Sequence, residues 1–455
     1  MLSRRGLIRA LSATAIAGLP GFGSITFKRR PGWIATISDG YTDRQSYRPG
    51  DRVTLFLNAK FPQYAIVPLY DYTGRIVHTF GANLFPQQPL GPTPWETGFG
   101  YQQSVSFTLP IGLRSGVYLA DGMIPVIVKD PALAHADLVV LYPTNTIAAY
   151  NGAGGKSLYS APEPSPIVSF ERPVGLPPNL AFFSAFLEWF ASIRLPYSIR
   201  YIADVDLEEY AAIGGASLLV VIGHSEYWTR GARENFDQFV LGGGRALLLS
   251  GNNMWWQARY SDDRSQLICY KRAPDPITDP LFKTVNWTNR LLNYPILRSV
   301  GADFIHGGFG AASNKSTGFR VLSPKSPVFR GLYVPSNEVF SMPTVEYDGA
   351  PLLNNPVTNG EPRLDLDALD AYRAEIIGYE YCAKTDVTGE ASSTGEGVGT
   401  WLAYQRTATS GVVMNGASTN WCSRTGAFGQ DGFRVRKIIL NMMDILANRQ
   451  TVFAT

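Results

Sequence analysis

The stretch that most constrains the fold spans residues 217–256 and reads SLLVVIGHSEYWTRGARENFDQFVLGGGRALLLSGNNMWW. Its segment 218–222 is apolar throughout, which is typical of a strand buried on both faces. A helix capped by Thr229 should follow, because apolar residues recur at i, i+4, i+7 and i+8 from Ala232 before three glycines end the pattern. Residues 246–250 form a second apolar run. The stretch therefore predicts two parallel strands joined by a helix.

Polar and aromatic residues follow both predicted strands. The functional crevice of a parallel sheet lies at the carboxyl ends of its strands, so we expect these residues to share one site. The candidate catalytic residues are His224, Glu226 and Tyr227. The candidate ligand-binding residues are Tyr150, Asn151, Asn252, Asn253 and Trp255.

The length of 455 residues predicts two or three domains. We expect an immunoglobulin-like β-sandwich over 33–134 and an α/β domain over 135–455, interrupted by an irregular insertion at 259–381. The predicted fold class is α/β, with a mainly parallel, amidotransferase-like sheet and flanking helices. Its strands should lie near 136–141, 197–202, 217–222, 246–250 and 411–415.

Residues 1–24 resemble a twin-arginine export signal, with Ser3-Arg4-Arg5-Gly6-Leu7-Ile8 ahead of an alanine-rich segment. This predicts a periplasmic or secreted protein; the alternative is an ordinary helix with exposed arginines. Removal of the segment takes away three arginines, so the formal charge of +3 becomes zero and a nucleic-acid role loses its support. Since no run of about 18 apolar residues follows, we expect no membrane span.

Nucleophile and nucleotide motifs are not satisfied. The turn 250–253 carries no thiol, Ser250 lies outside a GxSxG motif, and Tyr150 stands where GxxxxGK[ST] needs its first glycine. We therefore interpret residues 150–157 as a flexible loop that brings Tyr150 and Asn151 to the crevice. The three cysteines are too widely spaced for a zinc knuckle, but two of them could form one disulfide.

Several phrases resemble the large (beta) subunit family of N,N-dimethylformamidase: GHSEYW at 223–228, GGR at 243–245, LSGN at 249–252 and GYEY at 378–381. The resemblance spans roughly 136–446. It implies a class I glutamine-amidotransferase-like fold. It also implies a mononuclear iron, held by two tyrosines and a glutamate, that assists hydrolysis of a small tertiary amide.

The resemblance implies Tyr227 and Glu380 as metal ligands, with Glu346 a second choice for the carboxylate, and His224 or Glu226 as general base. Trp255 stands where the family should carry its second tyrosine, and an indole cannot ligate a metal. An iron site therefore needs Tyr150 or another crevice tyrosine.

Two functions stay open at this point. The first is hydrolysis of a C–N bond of a small amide with metal assistance. The alternative is a non-catalytic ligand-binding or envelope-interaction protein, in which His224 and Glu226 hydrogen-bond the loop backbone while Tyr227 and Trp255 only pack. A small-molecule ligand and either a homo-oligomer or a small companion subunit are the expected partners.

Overall fold

The computed structural model describes residues 37–129, 135–174, 183–271, 273–310, 317–342, 345–354, 360–386 and 391–454. The predicted export signal over 1–24 and the predicted domain boundary at 134 both lie outside these residues.

Two antiparallel sheets make up residues 37–129. Their strands are β1 (Ile37–Thr42), β2 (Arg52–Ala59), β3 (Gln63–Tyr70), β4 (Ile76–Leu84), β5 (Val105–Thr108), β6 (Gly116–Ala120) and β7 (Ile124–Val128). One sheet has the order β1-β2-β5 and the other β4-β3-β6-β7. Val53 and Leu57 from the first sheet share a buried core with Val67 and Val126 from the second. The arrangement fits the predicted β-sandwich.

The chain after the sandwich contains the remaining strands, which alternate with helices only in the first half of this part. They are β8 (Leu138–Tyr142), β9 (Ile167–Ser169), β10 (Ile199–Ala203), β11 (Leu218–His224), β12 (Tyr227–Thr229), β13 (Arg245–Gly251), β14 (Trp256–Tyr260), β15 (Gln266–Ile268), β16 (Asp303–Phe309), β17 (Gly318–Val321), β18 (Val339–Ser341), β19 (Glu346–Gly349), β20 (Arg373–Thr385), β21 (Ala391–Gln405) and β22 (Val412–Asn415).

The helices of the described residues are Pro94–Thr97, Thr144–Tyr150, Ser184–Ser192, Arg230–Leu241, Leu297–Val300, Leu366–Leu369 and Gly432–Ala447, with 3-10 turns at Asp204–Glu208, Tyr210–Ala212, Arg290–Leu292 and Pro327–Phe329. The helix predicted after Thr229 is confirmed, and the Thr229 hydroxyl accepts a hydrogen bond from the Ala232 backbone N–H at 3.2 Å.

One large sheet runs through this part in the order β10-β8-β11-β13-β22-β21-β20-β16-β19, with β17 and β18 added beside β20. The five strands from β10 to β22 are parallel neighbours. From β22 onward every recorded pairing in this sheet is antiparallel. A smaller sheet joins β12, β14, β15 and β9.

The predicted fold class is wrong. The protein is mostly β, with 35% of residues in strands and 18% in helices, and its sheets are mixed or antiparallel rather than mainly parallel. The reason is physical: continuous apolar runs mark only the strands buried on both faces. Strand β20 has exposed residues towards both ends and a buried middle, so it has neither a continuous apolar run nor a strict alternation. The expected irregular insertion also supplies β16 to β20.

Asp206 links the sandwich to the large sheet. It follows β10, is 7% exposed and accepts hydrogen bonds from Ser46 at 2.9 Å, from Lys129 and from the Ala203 backbone N–H at 2.9 Å. Since Ser46 and Lys129 both belong to the sandwich, one buried carboxylate joins the two parts.

We expect Asp206→Ala to lower the free energy of unfolding by about 1–3 kcal/mol, because it leaves a partly buried ammonium and a hydroxyl without their acceptor. Thermal unfolding and limited proteolysis around residue 129 measure the effect. Glu209→Ala, at an exposed position three residues along, is the matched control and should change neither. Equal stability of the two variants would contradict the assigned role.

Candidate functional site

The site begins where β11 and β13 end side by side. His224 pairs with Gly251 in the parallel register of these strands. The loops that follow are joined by two backbone hydrogen bonds, from Met254 N–H to Ser225 C=O at 2.9 Å and from Trp256 N–H to Glu226 C=O at 3.0 Å. The register of the sheet therefore sets the positions of the residues after both strands.

Gly251 allows a third segment to approach. A Cβ atom there would lie 2.8 Å from the Glu346 carbonyl oxygen and 2.8 Å from the Thr419 nitrogen, which is closer than side chains tolerate. The next residue, Asn252, has φ = +51°, so the chain turns sharply after the strand. Strand β19 packs against this turn and brings Glu346 beside Asn252.

The carboxylate of Glu226 lies at the centre of the site. Tyr150 OH donates to its Oε2 at 2.9 Å, Tyr159 OH lies 2.7 and 2.8 Å from its two oxygens, and Trp256 Nε1–H donates to Oε1 at 2.8 Å. Glu226 is 2% exposed. These donors compensate the loss of water around a buried charge.

Tyr159 connects the carboxylate to the other aromatic residues. Its ring stacks on Tyr150 with centroids 4.0 Å apart, and its hydroxyl accepts a hydrogen bond from Tyr227 OH at 2.5 Å. The Lys271 ammonium lies 3.1 Å from the centroid of the Tyr159 ring. Tyr159 is 41% exposed as a residue, while its hydroxyl points inward to Glu226.

His224 lies between two carboxylates. Its Nδ1–H donates to the Gly251 carbonyl at 3.0 Å, and its Nε2 lies 3.4 Å from Glu226 Oε2 and 3.3 Å from Glu346 Oε2. Burial alone would lower the pKa of His224, but the charge of Glu346 and the hydrogen bond and charge of Glu226 outweigh it and raise this pKa to about 9. The imidazole is therefore a cation at neutral pH.

The same environment separates the pKa values of the two carboxyl groups. Burial would raise the pKa of Glu226, but the hydrogen bond and charge of His224 and the charge of Lys271 lower it below its ordinary value. For Glu346, burial and the negative charge of Glu226 outweigh the opposing charge of His224 and raise the pKa. Two neighbouring carboxyl groups of different acidity are suited to proton transfer.

Glu346 is the more accessible of the two. Its side chain is 12% exposed, against 3% for Glu226. Its Oε2 makes the ion-pair contact with His224, yet neither this atom nor Asn252 Oδ1 accepts a hydrogen bond within the described residues. Buried acceptors in this state are available to a bound molecule.

The structure brings four of the predicted site residues together. Tyr150 and His224 contact the fourth, Glu226, and His224 and Asn252 contact Glu346. Tyr227 reaches the group through Tyr159.

The other predicted site residues have different contacts. Asn253 donates to Asp348 at 2.7 Å and fixes the turn after β13, while Asn151 donates to the Pro173 carbonyl at 2.8 Å. Trp255 packs against Phe304 and Trp256 in the core. Glu380 accepts hydrogen bonds from the backbone of Gly318 and its neighbour Thr317 at 2.8 and 2.9 Å, and no recorded contact joins it to Tyr227.

The sequence analysis did not name Tyr159 or Lys271, and it named Glu346 only as the second choice of carboxylate ligand. The signal for Tyr159 was its place at the end of the glycine-rich loop that begins at Tyr150, since a loop that delivers one side chain to a crevice often delivers a second. The position of Glu346 beside the site could not be predicted locally, because it depends on the close approach of β19 at Gly251 and on the hydrogen bond from Asn253 to Asp348.

The donor set suits a hard cation in its chemistry. Tyr150, Tyr159 and Glu226 offer two phenol groups and one carboxylate, and each phenol oxygen lies 2.7–2.9 Å from a carboxylate oxygen of Glu226. No group of three His, Cys, Asp or Glu side chains suited to a metal occurs in the described parts of the chain.

The cysteines Cys269, Cys382 and Cys422 are buried and free, so the disulfide that the sequence allowed does not form.

The chain matches the family described as "N,N-dimethylformamidase beta subunit-like, C-terminal" over residues 79–429, more than half of its length. It belongs to this family. No protein of the curated set matches the sequence significantly. Within the described residues, no helix is long and apolar enough to cross a membrane.

We predict that Glu346→Gln lowers the pKa of His224, because the charge of Glu346 is the largest contribution that raises it. The raised pKa stabilises the fold fully below about pH 6.5, and this contribution is lost as the pH rises through about 9. NMR titration of the four histidines measures the shift directly. His306, whose Nδ1 bonds Asp303 at 2.7 Å, is the internal control, and an unchanged His224 titration would contradict the assignment.

Proposed function

We propose that this protein hydrolyses the C–N bond of a small amide at the cluster around Glu226. The observation that supports the proposal is the convergence of Tyr150 and Tyr159 on the carboxylate of Glu226, directly beside the proton-transfer pair His224 and Glu346. Family membership supports a related hydrolase. The substrate class, a small amide, follows from the family and is part of the proposal.

We propose that Tyr150, Tyr159 and Glu226 hold a hard cation such as iron. The family implies two tyrosines and one glutamate, and the hydroxyls of Tyr150 and Tyr159 both bond the carboxylate of Glu226. This replaces Tyr227 and Glu380 as the favoured set. When bound, the cation supplies Lewis-acid polarisation of the amide carbonyl.

The remaining groups have roles that follow from their positions. Glu346 accepts a proton from water as the water oxygen bonds the carbonyl carbon, and delivers it to the amine nitrogen as the C–N bond breaks. The products are a carboxylic acid and an amine, so no other reactant is needed. His224 holds the two carboxylates at a fixed separation, and Lys271 offsets negative charge on both.

The surroundings of the reaction are also part of the proposal. The stacked rings of Tyr150 and Tyr159 limit the access of water to the carboxylate. Since the family is that of an enzyme subunit, we propose that a companion subunit or a second copy of the chain completes the active assembly. We further propose export by the signal at 1–24, which cell fractionation of an Arg4→Lys, Arg5→Lys variant tests.

Metal analysis and amide turnover test the ligand set. We expect Tyr159→Phe and Glu226→Gln, purified without chelators, to lose bound metal and turnover. Tyr227→Phe removes a hydroxyl that contacts only Tyr159 among the donors and should keep its metal. Tyr333→Phe, at an 88% exposed position, is the control. A metal-free wild type without turnover would contradict the enzyme proposal and favour the ligand-binding alternative.

Steady-state kinetics of a Glu346 variant test its role as proton acceptor. We expect Glu346→Gln to lower kcat by about 10²–10⁴-fold with little change in KM, the usual contribution of a general base. Its metal content should stay that of the wild type, because Glu346 is outside the proposed ligand set. A variant that keeps wild-type kcat would exclude Glu346 as the proton acceptor.

A further inference from the structure

The two site tyrosines lie on one irregular loop, and a buried arginine holds that loop. Tyr150 ends the helix Thr144–Tyr150, and Tyr159 follows eight residues of glycine-rich chain. Such a segment has high conformational freedom. For both hydroxyls to meet Glu226, the path of the chain between them has to be fixed.

Arg172 is 2% exposed and donates only to main-chain carbonyl groups in its recorded hydrogen bonds. Its acceptors are the carbonyl oxygens of Ala148 at 2.6 Å, Asn151 at 2.8 Å, Ala153 at 3.2 Å, Lys156 at 3.1 Å and Ser169 at 2.8 Å. Four of these five belong to the segment 148–156, on both sides of Tyr150 and ahead of Tyr159. One guanidinium thus gathers the loop into a single arrangement.

The chemistry of this contact explains why an arginine is required. Burial lowers the pKa of Arg172 to about 9, and no recorded ion pair within the described residues offsets its charge. The carbonyl groups at the end of the preceding helix carry partial negative charge and are suited to a buried cation. Lysine has three donors on one atom and cannot reach carbonyl groups spread around a planar fork.

We infer that Arg172 is a positioning residue for the two-tyrosine site. It contacts neither the carboxylate nor either hydroxyl, and acts by fixing the loop that carries both tyrosines. The inference rests on the proposed function in treating Tyr150 and Tyr159 as site residues. Its physical content, that Arg172 controls the hydrogen bond from Tyr159 to Glu226, is independent of metal and substrate.

Arg233 provides a matched control. It is also fully buried and donates to two main-chain carbonyl groups, at 2.8 Å to Tyr294 and 2.6 Å to Pro295, and to the Ser299 hydroxyl at 3.1 and 3.0 Å, all on a different segment. Arg172→Lys and Arg233→Lys remove the same kind of contact, so both should lower the thermal unfolding temperature. Only the first should affect the site.

Nitration of Tyr159 by tetranitromethane, followed by peptide mass spectrometry, is the test. The Tyr159 hydroxyl donates to Glu226 and accepts from Tyr227, so the nitration rate depends on its release from these two partners. Without added metal or substrate, we expect the rate at Tyr159 to rise about tenfold in Arg172→Lys and to stay within about twofold of wild type in Arg233→Lys.

A second variant moves the loop without changing Arg172. Gly154 has φ = +86°, and a Cβ atom there would lie 3.0 Å from the Trp95 nitrogen, so Gly154→Ala should also raise nitration of Tyr159. If Arg172→Lys and Gly154→Ala both fold and Tyr159 reacts at the wild-type rate in each, the inference is overturned. A wild-type protein that shows no amide turnover would contradict the proposed function but not the role of Arg172, because the nitration test requires no turnover.

Discussion

A single buried carboxylate organises the site. A charge in the position of Glu226 is unfavourable unless donors surround it, because the protein interior solvates ions poorly. Its donors come from different parts of the chain: the end of the helix at Tyr150, the loop at Tyr159, and β14 at Trp256. The cationic His224 on β11 lies beside it. Satisfying one charge therefore brings together segments that are up to about a hundred residues apart in sequence.

Charge balance then divides the roles of the two carboxyl groups. His224 and Lys271 supply two positive charges near Glu226 and Glu346, but the hydrogen-bond donors are concentrated on Glu226. Repulsion between the two negative charges therefore raises the pKa of Glu346, which accepts fewer hydrogen bonds and is more exposed. A proton is easier to move on and off such a group, whereas Glu226 stays charged and holds its neighbours.

The sequence was informative where the local pattern determines the structure. The apolar runs that became β11 and β13, and the helix after Thr229, could be predicted because burial on both faces and a helical repeat leave a clear periodicity. The residues after those strands, among them His224 and Glu226, followed from the geometry of parallel strands. The antiparallel half could not be predicted in the same way, since β20 mixes exposed and buried residues and its pairing depends on partners far along the chain.

The site was predictable only on the side built by the parallel strands. Glu346 lies in the antiparallel part and reaches His224 through the close packing allowed by Gly251, a contact with no local sequence pattern. Glu380 was preferred to Glu346 by motif, yet its carboxylate bonds the backbone at Thr317 and Gly318. A motif fixes the type of side chain, whereas the tertiary packing decides which carboxylate faces the crevice.

Trp255 shows how an oxygen donor can come from a different segment of the chain. An indole offers no oxygen, and this one is 1% exposed in the core against Phe304. The loop after Tyr150 instead carries a phenol oxygen, that of Tyr159, to Glu226. A site depends on where its atoms lie rather than on which segment supplies them. The tryptophan at 255 is therefore compatible with an oxygen-rich centre, and it strengthens the apolar packing beneath the loop that follows β13.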